Sequence, residues 1–144
     1  MRHVWVLAIL GALLSCSPEP EADNSALQEE LIGTTWRLTD LTGQDVLADL
    51  PVLLSFMDST SITGSGGCNR YFAEYTLSGN KLKLGPIGST RMTCAEDTVQ
   101  QEDLYFEALQ QAKSVQLDED QLIIECEGYV QPLRFTRREK PYEE

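Results

Sequence analysis

The sequence predicts a mainly β or α+β domain: an antiparallel sheet curled into a partly open, cracked barrel with one helix. Two observations carry that expectation. Between Thr34 and Phe135, short apolar segments, the first of them alternating at every second position, recur between turn-forming clusters. Only the stretch after Thr93 changes to helical spacing. Strands at short, regular spacing around a single helix suit a sheet that closes on itself, with the helix plugging or covering one opening.

In chain order, Thr34 to Leu41 sets Trp36, Leu38 and Leu41 against Thr35, Arg37 and Thr39. Val52 to Met57 is an apolar run opened by Pro51, which suits a strand start. Ser61-Ile62-Thr63 leads into Gly64-Ser65-Gly66-Gly67, where the chain turns sharply or passes close to a neighbour. Tyr71 to Leu77 and Lys81 to Leu84 flank Ser78-Gly79-Asn80, a hairpin signal. Val115-Gln116-Leu117 and Leu122 to Cys126 flank Asp118-Glu119-Asp120-Gln121, a second hairpin. Tyr129 to Phe135 is the last strand, with Pro132 favouring an edge or a bulge. For the helix, Thr93-Cys94-Ala95-Glu96 has the form of a capping box, and Glu96 and Asp97 suit the positive end of the helix dipole. Val99, Phe106, Leu109 and Lys113 then recur at helical spacing, widened by Leu104, Tyr105 and Ala108, and the helix is expected to end near Ala112 or Lys113.

Ahead of the domain, Arg2 precedes an apolar run from Val4 to Leu14. The run is shorter than the roughly 20 residues that span a bilayer as a helix. It ends in Leu13-Leu14-Ser15-Cys16, which resembles the lipobox of bacterial lipoproteins, although Leu14 stands where small residues are commoner. The resemblance implies cleavage after Ser15 and several acyl chains on Cys16, which anchor stably where one chain is marginal. The expected organisation is a signal peptide over residues 1–15, a lipidated acidic tether over 16–30, the domain over 31–136 and a charged tail over 137–144. Ser25 to Glu30 could form a helical turn within the tether. Ser17, which is not Asp, points to the outer membrane facing the periplasm under the sorting rule of enteric bacteria.

The charge balance excludes whole classes of function. Eleven Lys and Arg against 23 Asp and Glu give a net charge of −12. Such a chain does not grip nucleic acid through phosphates, and it is repelled by anionic head groups, so the membrane is reached through lipid. The one histidine, His3, lies in the leader. The mature chain therefore has no Ser-His or Cys-His pair and no imidazole ligand, and no motif supports catalysis by Lys or carboxylates. No enzyme, cofactor or metal is expected, and the chain reads as a monomer.

Two segments carry a family likeness: Gly64-Ser65-Gly66-Gly67-Cys68-Asn69-Arg70-Tyr71 and Ser89-Thr90-Arg91-Met92-Thr93-Cys94. With Trp36, the Gly79-Asn80 hairpin and the closing Leu133-Arg134-Phe135, they resemble the META domain, the family of HslJ and of many bacterial envelope lipoproteins. The likeness covers roughly Leu31 to Thr136, and its motif positions here are Trp36, Gly66, Gly67, Cys68, Asn69, Thr90, Met92 and Cys94. It implies an antiparallel β-rich domain with one helix, similar to the cracked barrel of type III secretion pilot lipoproteins, and it implies no catalytic residues.

In an oxidising envelope Cys68 and Cys94 are expected to pair. On the chain-entropy model that bond stabilises by about 3–4 kcal/mol. Cys126 reads as a small buried hydrophobe. A metal site from the three thiolates would lack every CxxC spacing, and a redox role would need an activated thiolate, which Cys94 near a helix start could supply if reduced. Asn69 is expected to cap a turn through its own backbone. Arg70 and Arg91 could clamp an anion, but pairing with acids on neighbouring strands is the expectation. Asp118-Glu119-Asp120 lacks the spacing of a calcium loop. Trp36, Tyr71, Phe72, Tyr75, Tyr105 and Phe106 are core by default, and a subset could line an apolar groove for an acyl chain, strand or helix. The functional expectation is a non-enzymatic envelope lipoprotein binding a protein or lipid partner in envelope maintenance or stress. The alternative is a secreted, acidic, inhibitor-like or stability module for a basic protein.

Overall fold

Alternation along the sequence becomes the inside and outside of a barrel. The computed structural model describes residues 24–139. The expected leader, Cys16, the first part of the tether and residues 140–144 lie outside them. The elements are α1 (Asn24–Leu31), β1 (Thr35–Leu41), β2 (Leu53–Phe56), β3 (Ser61–Ser65), β4 (Arg70–Ser78), β5 (Lys81–Leu84), β6 (Gly88–Ser89), α2 (Glu96–Gln110), β7 (Ala112–Asp118), β8 (Gln121–Cys126) and β9 (Leu133–Arg137).

All strand pairs are antiparallel, in the order β3-β2-β1-β9-β8-β7-β5-β4, and β3 pairs again with β4 to close the ring. β4 does this by changing partners along its length. Arg70 to Glu74 face β3, and Tyr75 to Ser78 face β5. The two-residue β6 lies beside Tyr71 and Phe72. The barrel is thus closed rather than open, and its weakest seam is β5–β7, registered only at Lys81↔Ser114.

Strict alternation in β4, β5 and β8 places Tyr71, Ala73, Tyr75, Leu82, Leu84, Leu122 and Ile124 inside. Trp36 from β1 and Phe135 from β9 fill the space between them. Each such side chain contributes about 1.5–3 kcal/mol by leaving water. Trp36 Nε1 donates to Thr34 Oγ1 at 2.7 Å, and Arg137 lies over its ring at 4.6 Å.

The helices close opposite ends. Leu31 of α1 is fully buried and Leu27 packs on the core, while Gln28 Nε2 donates to Ser59 O at 2.7 Å. The helical turn expected at Ser25 to Glu30 is therefore part of the packed unit. At the far end α2 buries Thr98, Gln101, Glu102, Tyr105, Ala108 and Leu109, a stripe at the 3–4 spacing of one helical face. This stripe is rotated from the expected one: Leu104 is 40% exposed and Val99 is half-buried.

The capping box does not form. Ala95 is the N-cap and no side chain caps the helix, since the methyl group of Ala95 carries no acceptor and α2 begins two residues past Cys94. α2 ends at Gln110, and Ala112 already pairs with Cys126 in β7–β8. β9 begins at Leu133 rather than Tyr129. Glu127 N reaches back to Gln111 O at 2.7 Å, Gly128 turns at φ +82, and Pro132 offers no N–H to a ladder.

Candidate functional site

The two signature segments meet at the α2 end of the barrel, and a residue outside both of them joins them. Glu102 comes from the buried face of α2 and is 4% exposed. Its Oε2 accepts from Asn69 N at 2.6 Å and Cys68 N at 3.1 Å, and its Oε1 accepts from Asn69 Nδ2 at 2.6 Å. Asn69 passes the connection on. Its Oδ1 accepts from Met92 N at 2.6 Å and from Thr90 Oγ1 at 3.1 Å. Thr90 Oγ1 in turn accepts from Arg70 N at 3.1 Å, and Thr90 N donates to Arg70 O at 3.0 Å. Asn69 therefore does not cap its own turn; its amide ties two loops to a helix.

The glycines make room for this. A Cβ on Gly66 would lie 2.5 Å from Glu102 Oε2 and 2.8 Å from Phe106 Cζ. Gly67 has φ +106, a conformation L side chains rarely adopt. The expected disulfide is present: Cys68 and Cys94 are bonded, with Cα atoms 6.0 Å apart. It fastens the same two loops covalently. Met92, whose backbone is held by Asn69, leaves its side chain 63% exposed.

Below this layer the core is polar at one point. Tyr71 Oη lies 2.7 Å from Tyr105 Oη and donates to Leu53 O at 3.0 Å, which leaves Tyr105 as the donor to Tyr71. Phe106 completes an edge-on aromatic group, 5.2 Å from Tyr71. Burial holds both phenols protonated well above their usual range, and the neighbouring Tyr71 adds to the rise at Tyr105. Cys126 is buried, and desolvation pushes its thiol up to about 12. That suits the small buried hydrophobe expected there, since a thiol this far from ionising is a poor nucleophile. Gln101 accepts from Leu47 N at 2.7 Å through Oε1, and its buried Nε2 has no partner among the described residues.

The remaining expected site residues fall apart in space or serve the fold. Trp36 is in the core. Arg91 forms no ion pair among the described residues, where the observed pair is Arg137–Asp120 at 3.6 Å. Asp118 to Gln121 form the β7–β8 turn, with Glu119 at φ +53. Of the aromatic residues, Trp36, Tyr71, Tyr75 and Tyr105 fill the interior, Phe106 is half-buried, and Phe72 lies outside, 66% exposed. No group of three or more His, Cys, Asp or Glu among the described residues could hold a metal ion. Glu102 and Gln101 escaped the sequence reading because both are polar. Their only signal was position: each lies three or four residues ahead of Tyr105, on its face of the helix.

Residues 29–140 match the family model of the META domain. The chain belongs to the META domain family. Its fold is shared with proteins of known structure. One is a protein from Burkholderia xenovorans solved by NMR, with 26% identity, a TM-score of 0.64, and coverage of 97% of this chain and 99% of that one. A second NMR structure is 28% identical with a TM-score of 0.62, over 76% and 92% of the two chains. The crystal structure of a DUF4847 family protein from Bacteroides vulgatus shares the fold alone, at 15% identity and a TM-score of 0.56, over 79% and 99%. No protein of curated function matches the chain. Gly66, Gly67, Cys68, Asn69, Thr90, Met92 and Cys94, the positions expected to carry the likeness, lie where two loops are locked onto α2.

Proposed function

We propose that this META domain protein is a non-enzymatic, lipid-anchored protein of the cell envelope. Lipid on Cys16 holds it, at the outer membrane facing the periplasm, and its rigid barrel is presented to a protein or lipid partner in envelope maintenance or stress. The observation that carries the reading is the leader ending in Leu13-Leu14-Ser15-Cys16. It is supported within the described residues, where Asn69, Glu102 and Thr90 spend their polar atoms on one another and on backbone N–H groups, in the manner of a scaffold.

The test is fractionation of cells making the full chain or its Cys16→Ala variant. The parent should partition with membranes and require detergent for release, and the variant should be soluble in the periplasm. Detergent-dependent attachment of the variant would overturn the anchor. A second reading follows from the net charge of −12: a secreted acidic module for a basic protein. Its binding would weaken steeply as salt rises, whereas binding through an apolar surface would strengthen.

A further inference from the structure

The loop that joins β1 to β2, residues 42–52, meets α2 at Gln101. Leu47 N donates to Gln101 Oε1 at 2.7 Å. Farther along the loop, Leu50 O and Gln101 Nε2 lie 3.6 and 3.8 Å from the point where a Cβ on Gly67 would stand. The surface at this junction is apolar in its middle. Leu47 is 39% exposed and Leu50 44%, and Leu104, 40% exposed, stands one helical turn beyond Gln101. Scattered singly, exposed leucines need no explanation; gathered around one junction they form a strip.

The charged groups around the strip are all of one sign. The loop carries Asp45 and Asp49, and the exposed face of α2 carries Glu96, Asp97, Asp103 and Glu107. Neither the loop nor α2 contains a Lys, Arg or His. None of the six exposed acids forms an ion pair among the described residues, where the observed pair is elsewhere. Arg37 reaches the loop from β1, but its guanidinium goes to a main-chain oxygen, Ala48 O, at 3.4 Å. Gln101 adds an observation of another kind. It is 6% exposed, and its Nε2 has no acceptor among the described residues. A buried donor left unpaired costs about 1–3 kcal/mol. Half an amide thus holds the loop on α2, and an acceptor for the other half has to come from outside the described residues.

From this we infer that the strip between the β1–β2 loop and α2 receives an amphipathic helix of a protein partner, apolar on one face and flanked by Lys and Arg. The inference rests on reading the barrel as a partner-binding module, and it names the partner's chemistry. A helix offers apolar anchors at i, i+3 or i+4, and i+7, the spacing that a strip of leucines accepts. Its flanking cations meet Asp45 and Asp49 from the loop and Asp97, Asp103 and Glu107 from α2. The net charge of −12 draws such a partner in from a distance. The same charge repels an anionic bilayer, the other surface that would cover exposed leucines.

The test titrates the full chain carrying Cys16→Ala, in buffer without detergent, into a fluorescein-labelled amphipathic helical peptide built from Leu and Lys. Saturable binding is expected, with slower hydrogen exchange at the amides of Leu47 to Leu50. Leu47→Ser/Leu104→Ser should weaken it about tenfold or more, and so should Asp45→Lys/Asp103→Lys. Both variants should melt at the parent's temperature, and Gln for the leucines or Asn for the aspartates replaces either one that does not. The same peptide with Glu for Lys should not bind. Absence of binding, full binding by the leucine variant, or unchanged exchange in the loop would each overturn the inference; the second outcome would mean attraction to acidity alone. So would leucine-dependent binding to phosphatidylglycerol vesicles, which would give the strip to a bilayer. Failure here with intact fractionation through Cys16 leaves the anchor reading standing; lost fractionation with intact peptide binding counts against the anchor alone.

Discussion

The α2 end of the barrel and the β5–β7 seam are built on opposite terms. At the first, Asn69 and Glu102 satisfy two loops with bonds of 2.6–3.1 Å, and a disulfide doubles the connection. At the second, neighbouring strands share one registered pair beside three exposed lysines. The two segments expected to carry the family likeness belong to the first region, and the unremarkable Lys-Leu-Lys-Leu belongs to the second. A dense run of Gly, Cys and Asn therefore marks where two loops are fastened to α2.

The largest effect that could break this contrast is loss of the Cys68–Cys94 bond. Reduction should remove about 3–4 kcal/mol and lower the melting temperature by about 10 °C or more. A transition left in place after the bond is confirmed broken would mean that the hydrogen bonds alone hold the loops. Glu102→Gln comes next. An amide cannot accept from Cys68 N, Asn69 N and Asn69 Nδ2 together, so a buried donor loses its partner at a cost of about 2 kcal/mol in urea unfolding. A change below about 0.5 kcal/mol would reassign the cluster to a surface role.

Smaller still is the response to alkali. Tyr71 and Tyr105 have folded pKa values raised above the ordinary 10.0. Their contribution is whole below pH 10 and is lost as pH climbs from there toward the folded values, because the unfolded phenols ionise first. Melting temperature followed from pH 9 to 12 should fall in that window, and Tyr105→Phe should flatten the fall. An unflattened curve would assign the loss to other groups.

Much of the fold was legible because period-2 patterns report directly on a half-buried sheet. β1 lies where alternation put it, and β4, β5 and β8 lie where the hairpin signals put them, within a residue or so. The helix was found but turned wrongly, since counting apolar residues favours Leu104 and Val99 over Thr98, Gln101 and Glu102. Gln101 and Glu102 are buried because their bonding partners come from 33 or more residues away, as Leu47 does for Gln101 and Asn69 for Glu102, and no local pattern encodes that. The disulfide was legible from a cysteine at a Gly-rich turn and another near a helix start; the capping box failed because the helix starts two residues later, with Ala95 at the N-cap. Closure of the barrel depends on β4 changing partners midway, which a single strand pattern does not reveal.

Residue-resolved hydrogen exchange under native conditions tests the contrast most directly. The amides of Cys68, Asn69 and Met92 should exchange only through global unfolding, with the free energy measured by urea, while Leu84 and Lys113 open locally and far faster. Equal protection in the two regions would contradict the account.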